Sequence, residues 1–209
     1  MVTALVELWG HFAQTQQLND EQVEKFQTYY GLLQDWNELF NLTAITELEK
    51  VLDLHFADSL VLERFIELKT IQMLADVGTG PGFPALPLKI KYPHLKIVLI
   101  EVSLKKRQFL EAVIQALQLS DVEICELDWR TFLRKTDYPI DLFCARASLQ
   151  PEELVRIFQP GSPYKQAQLI YWASEQWQST AKETSFVQKI EEYLINKRRR
   201  KLIFMGLHK

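Results

Sequence analysis

The rhythm of polar and apolar residues changes near residue 70. Before it, apolar positions recur every three or four residues. In "NDEQVEKFQTYYGLLQDWNELF", Val23, Phe26, Tyr30, Leu33 and Phe40 form one helical stripe, and Asn37 is its only polar member. Asn19 stands where an N-cap belongs and Gln22 follows three residues later, so a capping box is expected to open this helix. In "TELEKVLDLHFADSLVLERF", Thr46 and Glu49 offer a second box, and Val51, Leu54, His55, Asp58 and Leu62 then lie along one side. Helices are expected throughout the first seventy residues.

Beyond that point, short apolar runs alternate with amphipathic ones. "IQMLADV", "KIVLIEV", "VEICEL", "IDLFCA" and "QLIYWA" read as strands; "PALPLKIKY", "SLKKRQFLEAVIQAL", "DWRTFLRK" and "PEELVRIFQ" read as the helices between them. This alternation predicts an α/β fold with a doubly wound, mostly parallel sheet. At the end, "SFVQKIEEYLI", then "NK", then "RRRKLIFMGL" predicts two antiparallel strands closing one sheet edge, with a helix over the first segment as the competing reading. The expected organisation is a helical extension over 1–67, packed on a core domain over 68–209.

Composition narrows the picture. The 209 residues, 47% of them hydrophobic, suffice for one ordinary core. A net charge of -3 carries no global nucleic-acid signal, so any such surface must be local. No apolar run approaches membrane-spanning length, and "MVTALVELWGHF" lacks the basic start of a secretory signal. Cys125 and Cys144 lie in apolar strand-like segments and read as reduced core residues of a cytoplasmic protein, with a disulfide as the alternative. His11, His55, His94 and His208 are scattered, and no metal site is expected.

The candidate chemistry begins at "ADVGTGPGFPALPL". This loop follows the first strand of the second part and precedes a helix, the place where open α/β sheets bind ligands. Gly78, Gly80 and Gly82 leave the backbone bare for close approach. The G-x-G-x-G spacing is not the dinucleotide fingerprint, and without a following Lys-Ser/Thr it is no P-loop. Glu101 ends the next strand, where an acid would take a ribose hydroxyl pair. Asp76 ends an otherwise apolar strand, and its carboxylate is costly to bury unless a ligand ammonium or loop N–H groups pair it. The alternative is a tight turn that Asp76 merely braces.

Together "DVGTGPGFP", "LIEVSLKKRQFL", "WNELFNLTAI", "HFADSL" and "ARAS" resemble the bacterial 16S ribosomal RNA methyltransferase G family, also called glucose-inhibited division protein B. The resemblance runs in order from about residue 20 to about residue 160. It implies a Rossmann-like, S-adenosyl-L-methionine-dependent methyltransferase with a small helical N-terminal part, acting on N7 of one guanine in 16S ribosomal RNA. Carried onto this chain, it implies cofactor contacts at Gly78 and Phe83, Glu101 at the ribose, Trp129 and Arg130 at the adenine, and Arg146 after the fourth strand. Asp76, Gly80 and Gly82 complete the expected cofactor site. The chain departs from the family in two places. Trp129 and Arg130 replace a small residue and an acid or similar polar residue, and "IYWASEQ" lacks the Leu-Lys-Gly usual after strand five.

Methyl transfer to N7 needs no prior loss of a proton, so positioning and electrostatics should dominate over a general base. The sequence agrees by lacking an Asn/Asp-Pro-Pro-aromatic or a Pro-Cys after strand four. Arg146 is the expected catalytic residue, acting by placement: it can pair with the methionine carboxylate or an RNA phosphate, or instead with a nearby acid. His55, Asp58 and Ser59 share a helix face, either with Asp58 bonding His55 or with all three near substrate. RNA contacts are expected at Lys105, Lys106 and Arg107, where a helix's first turn disfavours cations, and at Arg198, Arg199 and Arg200 of "KRRRK"; solvent is the alternative partner for both. The expected partner is 16S ribosomal RNA or the small ribosomal subunit, met by a monomer. A methyltransferase for another RNA or a small molecule, and a binding module that has lost transfer, are the other readings.

Overall fold

A computed structural model of the chain describes residues 2–208. Helices α1 (Val2–Thr15) and α2 (Asp20–Phe40) open it, and the expected box at Asn19 is present, with each of Asn19 and Gln22 taking the other's backbone N–H at 2.9–3.0 Å. Gln22 also donates to the carbonyls of Ile90 and Lys91, which ties α2 to the domain behind it. The buried stripe of α2 is Phe26, Tyr29 and Leu33; Tyr30, assigned to it from spacing, is only partly buried. Asn41 ends α2 in the left-handed conformation (φ 49°).

The next helical run begins later than its sequence suggests. α3 (Leu48–Val51) is preceded by Glu47 as cap residue, with no side-chain bond, so Thr46 does not cap it. A π-helical turn, Leu52–Ala57, follows, then α4 (Asp58–Leu60) and a 3₁₀ turn, Val61–Arg64. Of the expected face, Val51, Leu54, Asp58 and Leu62 are buried and His55 is partly buried.

The sheet contains β1 (Met73–Val77), β2 (Lys96–Ile100), β3 (Val122–Cys125), β4 (Leu142–Arg146), β5 (Gln168–Ser174), β6 (Val187–Ile195) and β7 (Arg198–Met205). Their order is β3-β2-β1-β4-β5-β7-β6, parallel through β5 and antiparallel beyond. The C-terminal segment is therefore a hairpin. Its two-residue turn puts Asn196 and Lys197 at φ 44° and 60°, the mirror-image turn that matches strand twist. Along β6, Tyr193 and Ile195 are buried while Leu194 is exposed, the period of two that excludes the helical alternative.

Alternation along the strands divides the core into two. Leu74, Ile97 and Leu99 face α5 (Ala85–Lys91), α6 (Leu104–Ala116) and the N-terminal helices; Phe12, Phe26 and Phe56 belong to this side. Ala75, Val98 and Phe143 face α7 (Trp129–Lys135) and α8 (Pro151–Leu154), which contribute Phe132 and Leu154. A short α9 (Ala181–Thr184) precedes β6. Cys125 and Cys144 are buried thiols, and burial raises both above their ordinary pKa.

Candidate functional site

The strand order reverses between β1 and β4, and the glycine loop leaves the C-terminal end of β1 at that crevice. Its amides are anchored inward. Gly78 and Thr79 donate to the Ile100 carbonyl at 2.9 and 3.2 Å, and Gly80 donates to Glu101 Oε2 at 3.0 Å. Glu101 Oε1 accepts from Ser103 at 2.9 Å, so this one carboxylate holds both the loop and the start of α6. Pro84 is the residue preceding α5, and Pro87 lies in its first turn.

Asp76 is fully buried under the loop. Its Oδ2 accepts from Thr79 Oγ1 at 2.7 Å and from the Ala85 amide at 3.2 Å, while Oδ1 has no partner. Burial pushes its carboxyl up to about 6. Ser148 Oγ is a second buried atom without a partner among the described residues.

Above the loop lies a cavity of about 350 Å³. Gly78, Gly80 and Phe83 line it from the loop; Thr43, Leu54, His55 and Arg146 form a continuous wall; Lys106, Arg198 and Arg200 also border it. Phe83 is buried, with the His55 ring stacked on it at 4.5 Å and the Arg146 guanidinium 5.2 Å above its centre. His55 Nδ1 faces an Arg146 nitrogen at 3.4 Å and Nε2 faces Thr43 Oγ1 at 2.9 Å. The tautomer that satisfies both accepts at Nδ1 and donates from Nε2. Burial, and then the Arg146 cation, pulls the imidazole down to about 3, so it is neutral near pH 7.

Arg146 donates to the carbonyls of Leu54 and His55 and to Asp58 Oδ2 at 2.9 Å. Asp58, fully buried, takes Arg200 on the same oxygen at 2.9 Å and the Tyr193 hydroxyl on Oδ1 at 2.7 Å. The salt-bridge alternative for Arg146 is thus realised, and Asp58 bonds two arginines rather than His55. One carboxylate answers only one of the two arginine charges, so this wall keeps a positive surplus. Lys106 lies 3.9 Å from Glu101 Oε2.

Gly78, Gly80, Phe83, Arg146, Lys106, Arg198 and Arg200 thus meet at one cavity, with Asp76 and Glu101 bracing its floor. The other expected site residues lie elsewhere. A Cβ on Gly82 would meet Tyr29 Oη at 2.5 Å and Leu86 at 2.6 Å, so its bareness serves packing. Trp129 is buried, stacked on Phe132 and edge-on to Phe143, and its indole N–H donates to the Glu153 carbonyl at 2.8 Å. Its ring is a core element between α7 and α8. Arg130 pairs with Glu153 at 2.9 Å, and Arg107 with Glu126 and the Val102 carbonyl. Lys105 sits over the Phe40 ring, and Arg199 is absent from the lining of this cavity but joins Arg198, Arg200 and Lys197 around a separate one beside Glu175.

Sequence reasoning missed four residues that shape the site. Thr43 orients His55, Tyr29 bonds the Pro81 carbonyl, Tyr193 bonds Asp58, and Trp172 donates to the Asp58 carbonyl at 3.0 Å. The shared face of His55 and Asp58 was a signal for the wall. Nothing local marks Tyr193 or Trp172, which reach Asp58 across 135 and 114 residues.

Among the described residues, no helix is long and apolar enough to cross a membrane, and no group of three or more His, Cys, Asp or Glu could hold a metal ion. Among solved structures, an S-adenosylmethionine-dependent methyltransferase from Aquifex aeolicus is similar, with TM-score 0.56 and 15% identity over 80% of this chain and 97% of that one. That likeness shows a Rossmann-like α/β fold. The chain is 41% identical over 145 residues to ribosomal RNA small subunit methyltransferase G of Lachnoclostridium phytofermentans, and 39% identical over 132 residues to that of Bacillus subtilis. These matches cover 68% and 62% of the chain, and the chain spans 60% and 55% of the two relatives' lengths. The family model described as rRNA small subunit methyltransferase G, GidB, matches residues 22–204, and the chain belongs to that family.

Proposed function

We propose that the chain transfers a methyl group from S-adenosyl-L-methionine to N7 of a guanine in 16S ribosomal RNA, as a cytoplasmic monomer. The observation that carries this reading is the cavity wall. His55 is neutral, and both its ring nitrogens are engaged, by Arg146 and by Thr43. A wall so arranged offers no poised base, which suits an acceptor that is nucleophilic before it binds.

The residues fit the cofactor. Gly80 faces open space and would let a ligand approach the backbone. Asp76 Oδ1 is a buried acceptor lacking a donor, and a cofactor ammonium is a donor of the right charge. Each Glu101 oxygen takes one backbone N–H and can accept a second bond, so a ribose hydroxyl pair can be held there. The bound cofactor supplies an electrophilic methyl group. Phe83 and Gly78 line the space around it, and Arg146, held by Asp58, keeps the wall in place and positively charged. Lys106, Arg198 and Arg200 face incoming RNA phosphates. In this reading 1–67 is an extension whose π-helical turn walls the cavity, and 68–209 is the transfer domain.

The test is single-turnover transfer to 30S particles across pH, with nucleoside mass spectrometry of the product. The expected product is 7-methylguanosine, and with cofactor saturating the rate should show no limb from an essential base near neutrality, since Asp76 enters only through cofactor binding. A methyl group on an exocyclic amine, a ribose or a pyrimidine carbon would overturn the assignment.

A further inference from the structure

A second cavity, of about 460 Å³, lies on the α7/α8 face of the sheet and shares no residue with the one above the glycine loop. Its charged lining consists of arginines alone: Arg130, Arg134 and Arg156. Two carboxylates attend them, Glu153 by direct bonds and Asp128 through space. Glu153 accepts from Arg130 Nε at 3.0 Å and from Arg156 Nε at 2.8 Å, and those two cations hold its carboxyl down to about 2. Arg134 has no direct carboxylate bond: it donates at 3.4 Å to the Thr131 hydroxyl, which in turn donates to Asp128. Three guanidinium groups against Glu153 and Asp128 leave a surplus of one positive charge in a chain whose net charge is -3.

The rest of the lining suits an anion. Gln159 and Ser162 carry side-chain donors, and Gly161 has open space at its α-carbon, so the backbone there can be approached closely. Guanidinium groups match phosphate oxygens in bidentate geometry, and clustered arginines are stabilised when an anion sits among them.

We propose that this arginine groove binds a phosphodiester of the RNA strand, as an anchoring contact separate from the methyl-transfer cavity. The proposal deepens the RNA reading above: the substrate would be gripped on both faces of the sheet.

The test compares the whole wild-type chain with Arg134→Gln/Arg156→Gln. Neither residue touches the glycine-loop cavity, and both lie at the surface, so the variant should fold and keep its S-adenosylmethionine affinity by calorimetry. The probe is a fluorescent single-stranded oligouridine, titrated by anisotropy at several salt concentrations. The variant should bind more weakly, and its slope of log K against log salt should fall by about 0.7 for each phosphate that the groove no longer neutralises. Arg134→Lys/Arg156→Lys should recover part of the slope. Equal affinity and slope in wild type and double variant would overturn the groove, as would no binding of the oligonucleotide by wild type at low salt. Inorganic phosphate that binds as well as the oligonucleotide would also overturn it, since the site would then be one for a free anion. If the slope falls as expected while 30S particles receive no methyl group, the groove stands and the proposed reaction fails.

Discussion

Gly78 and Gly80 share a left-handed backbone, at φ 64° and 61°, and differ in what surrounds them. A Cβ on Gly78 would stand 2.7 Å from Ser148 Cβ, whereas one on Gly80 would meet nothing within 4 Å. Either alanine costs about 1–2 kcal/mol for the backbone. Gly78→Ala should therefore lose additional stability in urea denaturation. Gly80→Ala should remain folded and lose cofactor affinity by calorimetry, because its methyl group enters the cavity. The spacing G-x-G-x-G showed that the loop is bare but could not rank its members, since the ranking depends on Ser148, Tyr29 and Leu86. His55 and Asp76 make a pH prediction. The His55 pKa is depressed to about 3, so its contribution to stability is complete above the unfolded value near 6.5 and is lost as pH falls toward 3. Asp76, raised to about 6, acts oppositely: it favours the folded state below about 3.9 and loses this as pH rises through 6. Between pH 6 and 4 the two contributions run in opposite directions and largely offset each other, and the larger His55 shift shows as a net loss of stability below about pH 4. Asp76→Asn removes the opposing contribution and should uncover the His55 loss between pH 6 and 4 in urea midpoints measured across the range.

At the scale of elements, α7 joins the sheet through Trp129. The ring is 5% exposed, and its N–H is satisfied by α8. Trp129→Ala should cost about 3–5 kcal/mol by chemical denaturation, while the folded fraction keeps its cofactor affinity. Loss of affinity without loss of stability would return the residue to the adenine. Most elements were legible because they repeat a local period. The capping box at Asn19 and the five parallel strands are of this kind. The C-terminal hairpin was ambiguous because "SFVQKIEEYLI" satisfies a helical and a strand period equally well; the edge of β5 and the Asn196-Lys197 turn resolve it. The π-helical turn had no local signal. It places the Leu54 and His55 carbonyls where Arg146 donates to them, a contact spanning more than 90 residues.

Over the whole molecule, Asp58 is the point where separate elements converge. From α4 it bonds Arg146 of β4, Arg200 of β7 and Tyr193 of β6, and its carbonyl takes Trp172 of β5. Breaking such a buried pair typically costs about 3–5 kcal/mol, because the partner charges stay buried. Asp58→Asn should show that loss in denaturation and slow methyl transfer as the wall loosens. In a double-mutant cycle, Arg146→Gln should cost less in the Asp58→Asn background than in wild type; equal costs would show that the two residues act independently. The sequence by itself determined the order of elements, the position of the glycine loop at a strand end and the family, since each is written in short spacings that a few neighbouring residues satisfy. Only the tertiary structure decided which cations face the cavity and which are tied elsewhere. Lys106, Arg198 and Arg200 reach it, while Arg107 and Arg130 are held by Glu126 and Glu153. The reason is geometric: strand order brings Asp58 to Arg146 and Arg200 across 88 and 142 residues, and no local period encodes a contact of that length.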